Sequence, residues 1–72
     1  MYIIQELQTT NNQTALVTPV TKSDRAQAEN AFLTACAAAC ISQVEVHTVL
    51  WYDEHGNVID RKFYEHLSEP TA

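Results

Sequence analysis

The chain contains very little glycine and cysteine. Its 72 residues include one glycine and two cysteines. A glycine-rich loop that cradles phosphate needs several glycines, so the sequence excludes this class of nucleotide site. Two cysteines are also too few for the disulfide framework of small secreted domains.

Basic residues and long apolar runs are scarce as well. Four Lys and Arg stand against nine Asp and Glu, giving a formal net charge of −5, which disfavours binding to duplex DNA. No apolar run approaches the roughly 20 residues that span a bilayer, and the first residues carry Glu6 instead of the basic start of a leader. We therefore expect a cytoplasmic protein without duplex DNA or a membrane as a partner.

The small size predicts self-association. A chain of this length forms one domain, 1–72, and buries only about 60% of the surface that its unfolded form exposes. Small domains without disulfides or metals commonly gain stability by association. We expect a homo-oligomer.

The first third predicts a hairpin over 2–20. Two β-favouring runs flank Asn11 and Asn12, which accept turn geometry and positive φ. Pro19 cannot donate a hydrogen bond to a neighbouring strand, so it limits the second strand.

A helix is expected over 22–42, with Thr21 or Ser23 as its N-cap and Asp24 in its first turn. One apolar stripe contains Ala28, Phe32, Ala35, Cys36 and Ala39. Further small and apolar residues extend around the cylinder, which indicates burial on more than one side. The predicted oligomer interface consists of Phe32, Leu33, Ala37, Cys40 and Ile41.

The last third predicts a second hairpin over 43–67 and a frayed tail over 68–72. Gly56 suits a type I turn with a following bulge, with Asp53 opposite Asn57. The fold class is therefore α+β, in the order beta-beta-alpha-beta-beta, with one helix packed on a four-stranded antiparallel sheet.

The expected register gives both sheet faces large apolar groups. One face would carry Glu45, His47, Val49, Trp51, Ile59, Arg61, Phe63 and Glu65. The other would carry Val44, Val46, Thr48, Leu50, Tyr52, Val58, Asp60, Lys62, Tyr64 and His66. One helix covers only one face, so the second must be solvated, bind something or pack on another copy.

The cysteines and histidines favour packing over chemistry. Cys36 and Cys40 lie one helical turn apart and could share a metal with His47 or His66, but free cysteines more often pack as small apolar residues. Both thiols lie towards the helix C-terminus, where the dipole disfavours a thiolate. Nucleophile and paired acid/base signatures are absent. We expect no enzyme activity, no metal and no cofactor.

A ligand surface is predicted on the sheet. His47, Trp51, Arg61 and Phe63 combine aromatic rings with a cation, which suits stacking on a base and neutralising a phosphate. A dimer interface or a half-solvated face is the alternative. Arg25 and Glu29 either form a surface ion pair, or the Glu29 carboxylate points to a partner helix or a ligand pocket. The predicted ligand-binding residues are Arg25, Glu29, His47, Trp51, Arg61, Phe63, Tyr64 and His66.

Part of the pattern resembles a group of very small bacteriophage and prophage proteins. The resemblance covers about Ala28 to His66: Ala-Glu, an alanine-rich helix ending in Ser, Val-x-Val-His, a glycine hairpin and a closing Tyr-x-His. Phe32 and the two cysteines depart from that pattern. The resemblance implies phage origin and a location in the host cytoplasm, and it implies no reaction.

Two functions are compatible with this resemblance. In the first, an oligomer sequesters a nucleotide-derived immune signal and so counters host defence. In the second, an interaction module inhibits a host enzyme or regulator, with its acidic surface supplying complementarity. A purely structural small oligomer and an enzyme using His47 with Glu29 remain further alternatives.

Overall fold

A computed structural model describes residues 1–66 of the chain. The described part contains one helix and an antiparallel sheet. The elements in chain order are β1 (Tyr2–Thr10), β2 (Gln13–Leu16), β3 (Val20–Lys22), α1 (Arg25–Cys40), β4 (Val46–Asp53) and β5 (Val58–Glu65). The predicted tail over 68–72 and the last residue of the second predicted hairpin lie outside the described residues.

The strand β1 lies at the centre of the sheet. It pairs along its length with β4, from Tyr2 opposite Asp53 to Thr9 opposite Val46. The other edge of β1 pairs with β2 near its C-terminal end and with β3 near its N-terminal end. On the far side of β4 lies β5, so the order is β2-β1-β4-β5, and β3 pairs with β1 on the same edge as β2.

The α+β class is confirmed, but the sheet has five strands instead of four, in the order beta-beta-beta-alpha-beta-beta. The additional strand arises where the edge is interrupted at 17–19. The Val17 amide still donates to the Glu6 carbonyl oxygen. Regular pairing with β1 stops after Leu16 and begins again at Val20. Pro19 lies in this gap and cannot continue the pairing, because it has no amide hydrogen to donate.

Two turns agree with the sequence. Asn11 and Asn12 both adopt positive φ, at 53° and 63°, as a two-residue turn between right-handed twisted strands requires. Gly56 has a φ of 84°, the left-handed conformation predicted for it. Asp53 donates its amide to the Asn57 carbonyl oxygen over 3.1 Å, so the predicted pairing at the hairpin end is confirmed.

The helix is shorter than predicted. It spans Arg25–Cys40 instead of 22–42. The predicted cap was wrong: Thr21 is part of β3, and Asp24 is the N-cap residue, with extended backbone and no side-chain capping bond. Pairing of β3 with β1 holds Thr21 in an extended conformation, which overrides its capping preference.

One face of the helix packs on one face of the sheet. The buried apolar core consists of Ile4, Ala28, Phe32, Cys36, Ala39, Val49 and Trp51. Four of these residues belong to the predicted helix stripe, and its fifth member, Ala35, packs against them. Burying a side chain such as Phe32 contributes roughly 1.5–3 kcal/mol. Cys36 fills a core position as a small apolar side chain.

A bulge changes the register of the second hairpin. Tyr52 pairs with Val58, but Trp51 pairs with Asp60, so Ile59 is an extra residue in β5. Beyond it, each β5 side chain faces the side opposite to the prediction, because a shift of one residue reverses the faces of a strand. The predicted faces are therefore wrong for Asp60 to Glu65.

Candidate functional site

The predicted ligand-binding residues do not lie together. His47 and Trp51 are buried beneath the helix, and the bulge places Arg61 and Phe63 on the opposite, uncovered face of the sheet. Glu29 is exposed on the helix. The predicted pocket of aromatic rings and a cation is therefore divided by the sheet itself.

Arg25 does contact the aromatic cluster. Its guanidinium carbon lies 5.2 Å from the centre of the Trp51 ring, within cation–π distance. Phe32 and Tyr2 pack against the same indole, with ring centroids 5.7 and 6.2 Å away. Arg25 therefore covers an edge of the core instead of pairing with Glu29.

A chain of hydrogen bonds crosses the other end of the core. His47 is 4% exposed. Its Nδ1 lies 2.9 Å from the Ser42 hydroxyl oxygen and its Nε2 lies 2.8 Å from Glu6 Oε1. A carboxylate only accepts, so the Nε2 proton points to Glu6, and in the neutral imidazole Nδ1 then accepts from the Ser42 hydroxyl. Both imidazole nitrogens are satisfied.

The order Ser-His-Glu is also that of a nucleophile, a base and its orienting acid. Its electrostatic surroundings are unfavourable for an oxyanion. Ser42 lies two residues beyond the C-terminal end of α1, where the carbonyl groups give a negative potential. A developing oxyanion needs donors or positive potential. The arrangement is suited to joining the end of α1 to β1 and β4.

Tyr64 and His66 have structural contacts. Tyr64 is half-buried against the core. The ring nitrogens of His66 lie 2.9 Å from the Val44 carbonyl oxygen and 3.0 Å from that of Cys40. His66 therefore ties the end of β5 to the C-terminus of the helix.

The two thiols differ in environment. Cys36 is buried, and burial raises the pKa of its thiol. Cys40, one turn later, is exposed.

No group of three or more potential metal ligands is placed together among residues 1–66. No helix in that part of the chain is long and apolar enough to cross a membrane.

The predicted oligomer interface on the helix is only partly accessible. Phe32 is 1% exposed in the core and cannot contact another molecule. Leu33, Ala37, Cys40 and Ile41 are exposed. Leu33, Ala37 and Cys40 lie on the outer surface of the helix, and Ile41 is its C-cap residue.

A groove of about 330 Å³ lies between β3 and the first half of α1. It is lined by Lys22, Ala26, Gln27, Asn30 and Ala31. Within the described part of the chain, no carboxylate forms an ion pair with the Lys22 ammonium. The groove thus offers one cation, two primary amides and two methyl groups.

The second notable surface is the sheet face opposite the helix, here called the open face. No element of residues 1–66 packs on it. The open face consists of Ile3, Gln5, Leu7, Thr9, Thr14, Leu16, Thr21, Val46, Thr48, Leu50, Tyr52, Val58, Arg61, Phe63 and Glu65.

Comparison with protein-family models, curated proteins and solved structures finds no match.

Several residues of these sites were not selected from the sequence. Glu6 lies 41 residues from His47, and nothing local predicts that contact. Ser42 is the last residue of the predicted helix, and the sequence does not predict its contact with His47. Gln27 and Asn30 are three apart on a helix, a spacing that places them on one face, but exposed amides at that spacing are common.

Proposed function

We propose that the protein is a non-enzymatic binding protein that sequesters a small nucleotide in the groove between β3 and α1. The main support for this proposal is that the groove is lined by the Lys22 ammonium next to two side-chain amides. An ammonium without a carboxylate partner suits a phosphate, because charge-assisted hydrogen bonds are among the strongest in proteins. A volume of about 330 Å³ lies at the lower end of the usual range for small-molecule sites.

The remaining lining residues suit a base. Gln27 and Asn30 each present a carbonyl oxygen and an amino group, the pair that matches the edge of adenine. Ala26 and Ala31 offer flat apolar contact for a ring. Lys22 would then hold the phosphate at the β3 side of the groove.

The biological role follows from the phage resemblance. A phage protein that captures a nucleotide-derived signal in the host cytoplasm would counter host defence by lowering the free concentration of that signal. No step of this proposal breaks a bond in the ligand. An interaction module that inhibits a host enzyme or regulator is the competing function, and it would use the open face instead of the groove.

The proposal is tested by equilibrium dialysis against a panel of cyclic and linear nucleotides. We expect Lys22→Gln to weaken binding roughly 10- to 100-fold, the range for losing a bond to a charged group. Lys62→Gln is the control, because it removes the same charge from an exposed lysine on β5, outside the groove lining. The nucleotide should be recovered unchanged after denaturation.

Two results would contradict the proposal. One is the absence of binding by any nucleotide up to about 1 mM, which corresponds to a binding free energy weaker than about −4.1 kcal/mol. The other is equal weakening by the Lys22 and Lys62 substitutions, which would indicate a general charge effect instead of a site.

A further inference from the structure

We infer that the open face is the interface of a homodimer, in which two sheets pack face to face with Arg61 of each copy opposite Glu65 of the other. This inference is independent of the nucleotide proposal, because the groove lies on the helix side of the sheet.

A row of three apolar side chains and one threonine, here called the apolar row, crosses the middle of the open face. Register places Leu7 opposite Leu16 on one side and opposite Thr48 on the other, and Thr48 opposite Phe63. These four residues therefore form one line across the sheet. Leu16 is 72% and Phe63 is 55% exposed, at opposite ends of that line. Exposed apolar groups in one line mark a contact surface more clearly than scattered ones.

Several polar side chains beside this row already have hydrogen-bond partners within the chain. The hydroxyl oxygens of Thr9 and Thr14 lie 2.8 Å apart, and the Gln5 amide nitrogen donates to the Val17 carbonyl oxygen over 2.7 Å. Burying polar groups is costly when it leaves them without partners. These groups keep their partners when water leaves the face, so the face is suited to being covered.

The edges of the sheet are less suited to association. One edge is divided between β2 and β3, with Pro19 in the gap. The other edge, β5, contains the charged run Asp60 to Lys62 and the bulge at Ile59. Charges, proline and bulges are the usual protections against strand addition. A second copy therefore adds to the face and not to an edge.

The charges of the open face fit a second copy of the same chain. Among the strand residues of this face, only Arg61 and Glu65 are charged, and they carry opposite signs. They lie two residues on either side of Phe63, about 13 Å apart on β5. Consider a two-fold axis that lies between the two sheets, runs along the apolar row and is perpendicular to the strands. This axis places β5 of one copy over β5 of the other, in antiparallel orientation.

That axis brings each Arg61 opposite the Glu65 of the second copy and places the apolar rows over each other. Such an interface is isologous, because each contact occurs twice. Sheets packed in this way lie about 10 Å apart with their strands within about 30°. A partner of any other sequence would have to reproduce this charge order, whereas a second copy has it already.

The first test is the mass in solution, measured by sedimentation equilibrium from about 1 to 100 µM. We expect a dimer, and we expect Phe63→Glu to weaken dimerisation by at least roughly 30-fold, as for a large aromatic residue that becomes buried in an interface. Leu33→Glu is the matched control, since Leu33 is 52% exposed on the outer surface of the helix. Circular dichroism verifies that both variants fold.

The second test fixes the register. Arg61→Glu alone and Glu65→Arg alone each place like charges opposite each other twice, and we expect each to weaken dimerisation roughly 5- to 30-fold. An equimolar mixture of the two variants restores opposite charges at both contacts. We expect the mixture to form a heterodimer as tightly as the unaltered protein, and the double variant to form a homodimer again.

Other outcomes overturn the inference. A protein that is still monomeric at about 100 µM would show that the open face does not bind a second copy, and a different protein such as a host factor would then be its partner. A dimer lost by Leu33→Glu and kept by Phe63→Glu assigns the interface to the helix. Failure of the mixture to restore dimerisation rejects the register. None of these results bears on nucleotide binding, which depends on Lys22.

Discussion

Removal of the Glu6 carboxylate should destabilise the fold more than its partly exposed position suggests. In Glu6→Ala the Nε2–H of buried His47 loses its acceptor, which lies 2.8 Å away. A hydrogen bond to a charged group contributes about 1.5–3 kcal/mol, and an unpaired buried donor costs a similar amount. We expect the free energy of unfolding to fall by about 2 kcal/mol, or about 8–16 °C in melting temperature for a domain of this size.

Two further variants separate the hydrogen bond from the general effect of the substitution. Glu6→Gln keeps an acceptor oxygen, so it should lose only about 1 kcal/mol. In His47→Leu, the donor itself is absent. Adding Glu6→Ala to that background should therefore cost less than about 0.5 kcal/mol, which makes the pair strongly coupled in a double-mutant cycle.

Urea unfolding followed by fluorescence measures these differences, because the chain has a single tryptophan, Trp51, and it is buried. Protein concentration is held constant, since dimerisation would make stability depend on it. Glu29→Ala is the control: Glu29 is exposed, so the change should be within about 0.5 kcal/mol. The reasoning is refuted if Glu6→Gln loses as much as Glu6→Ala, or if the double-mutant cycle shows no coupling.

Three further predictions concern local chemistry. Iodoacetamide should modify exposed Cys40 and spare Cys36, whose thiol has a pKa raised by burial, and equal labelling seen by mass spectrometry would contradict this. The backbone amide of Asn57 donates to the Asp53 carboxylate and lowers its pKa below the ordinary value of an aspartate. The contribution of this group to stability is therefore present above the unfolded pKa and is lost as pH falls through the folded pKa; an NMR titration that gives an ordinary or raised pKa would disprove this. Gly56→Ala should destabilise the hairpin by about 1–2 kcal/mol in urea unfolding, because φ is 84° there and the neighbouring space is open; an unchanged midpoint would show that strain is absent.

The turns and the helix stripe could be predicted because their signals are local. Asn11 and Asn12 accept positive φ, and Gly56 adopts it freely, so each hairpin end was located correctly. The helical spacing of apolar residues likewise indicated that Cys36 is a core residue, whereas Phe32 of the same stripe, which was assigned to the oligomer interface, is buried in the core. These features depend on a few consecutive residues.

The register of β5 and the partners of His47 could not be predicted. The bulge at Ile59 adds one residue without any glycine or proline to mark it, and that single step moved Phe63 from the expected face to the other. Glu6 meets His47 only because β1 pairs with β4 across 41 residues of sequence. Both features result from packing between distant strands.

The central position of β1 also has a consequence for the order of folding. It precedes the other strands in the chain, yet its main partner is β4, and Tyr2 pairs with Asp53. Such distant pairings are slow, because a long loop must close before any contact is gained. During synthesis, β1 can pair with β2 and β3, but its other edge stays unpaired until β4 has left the ribosome. The nascent chain therefore exposes an edge that the finished protein does not, and shielding of that edge by a chaperone would affect its yield more than its final stability.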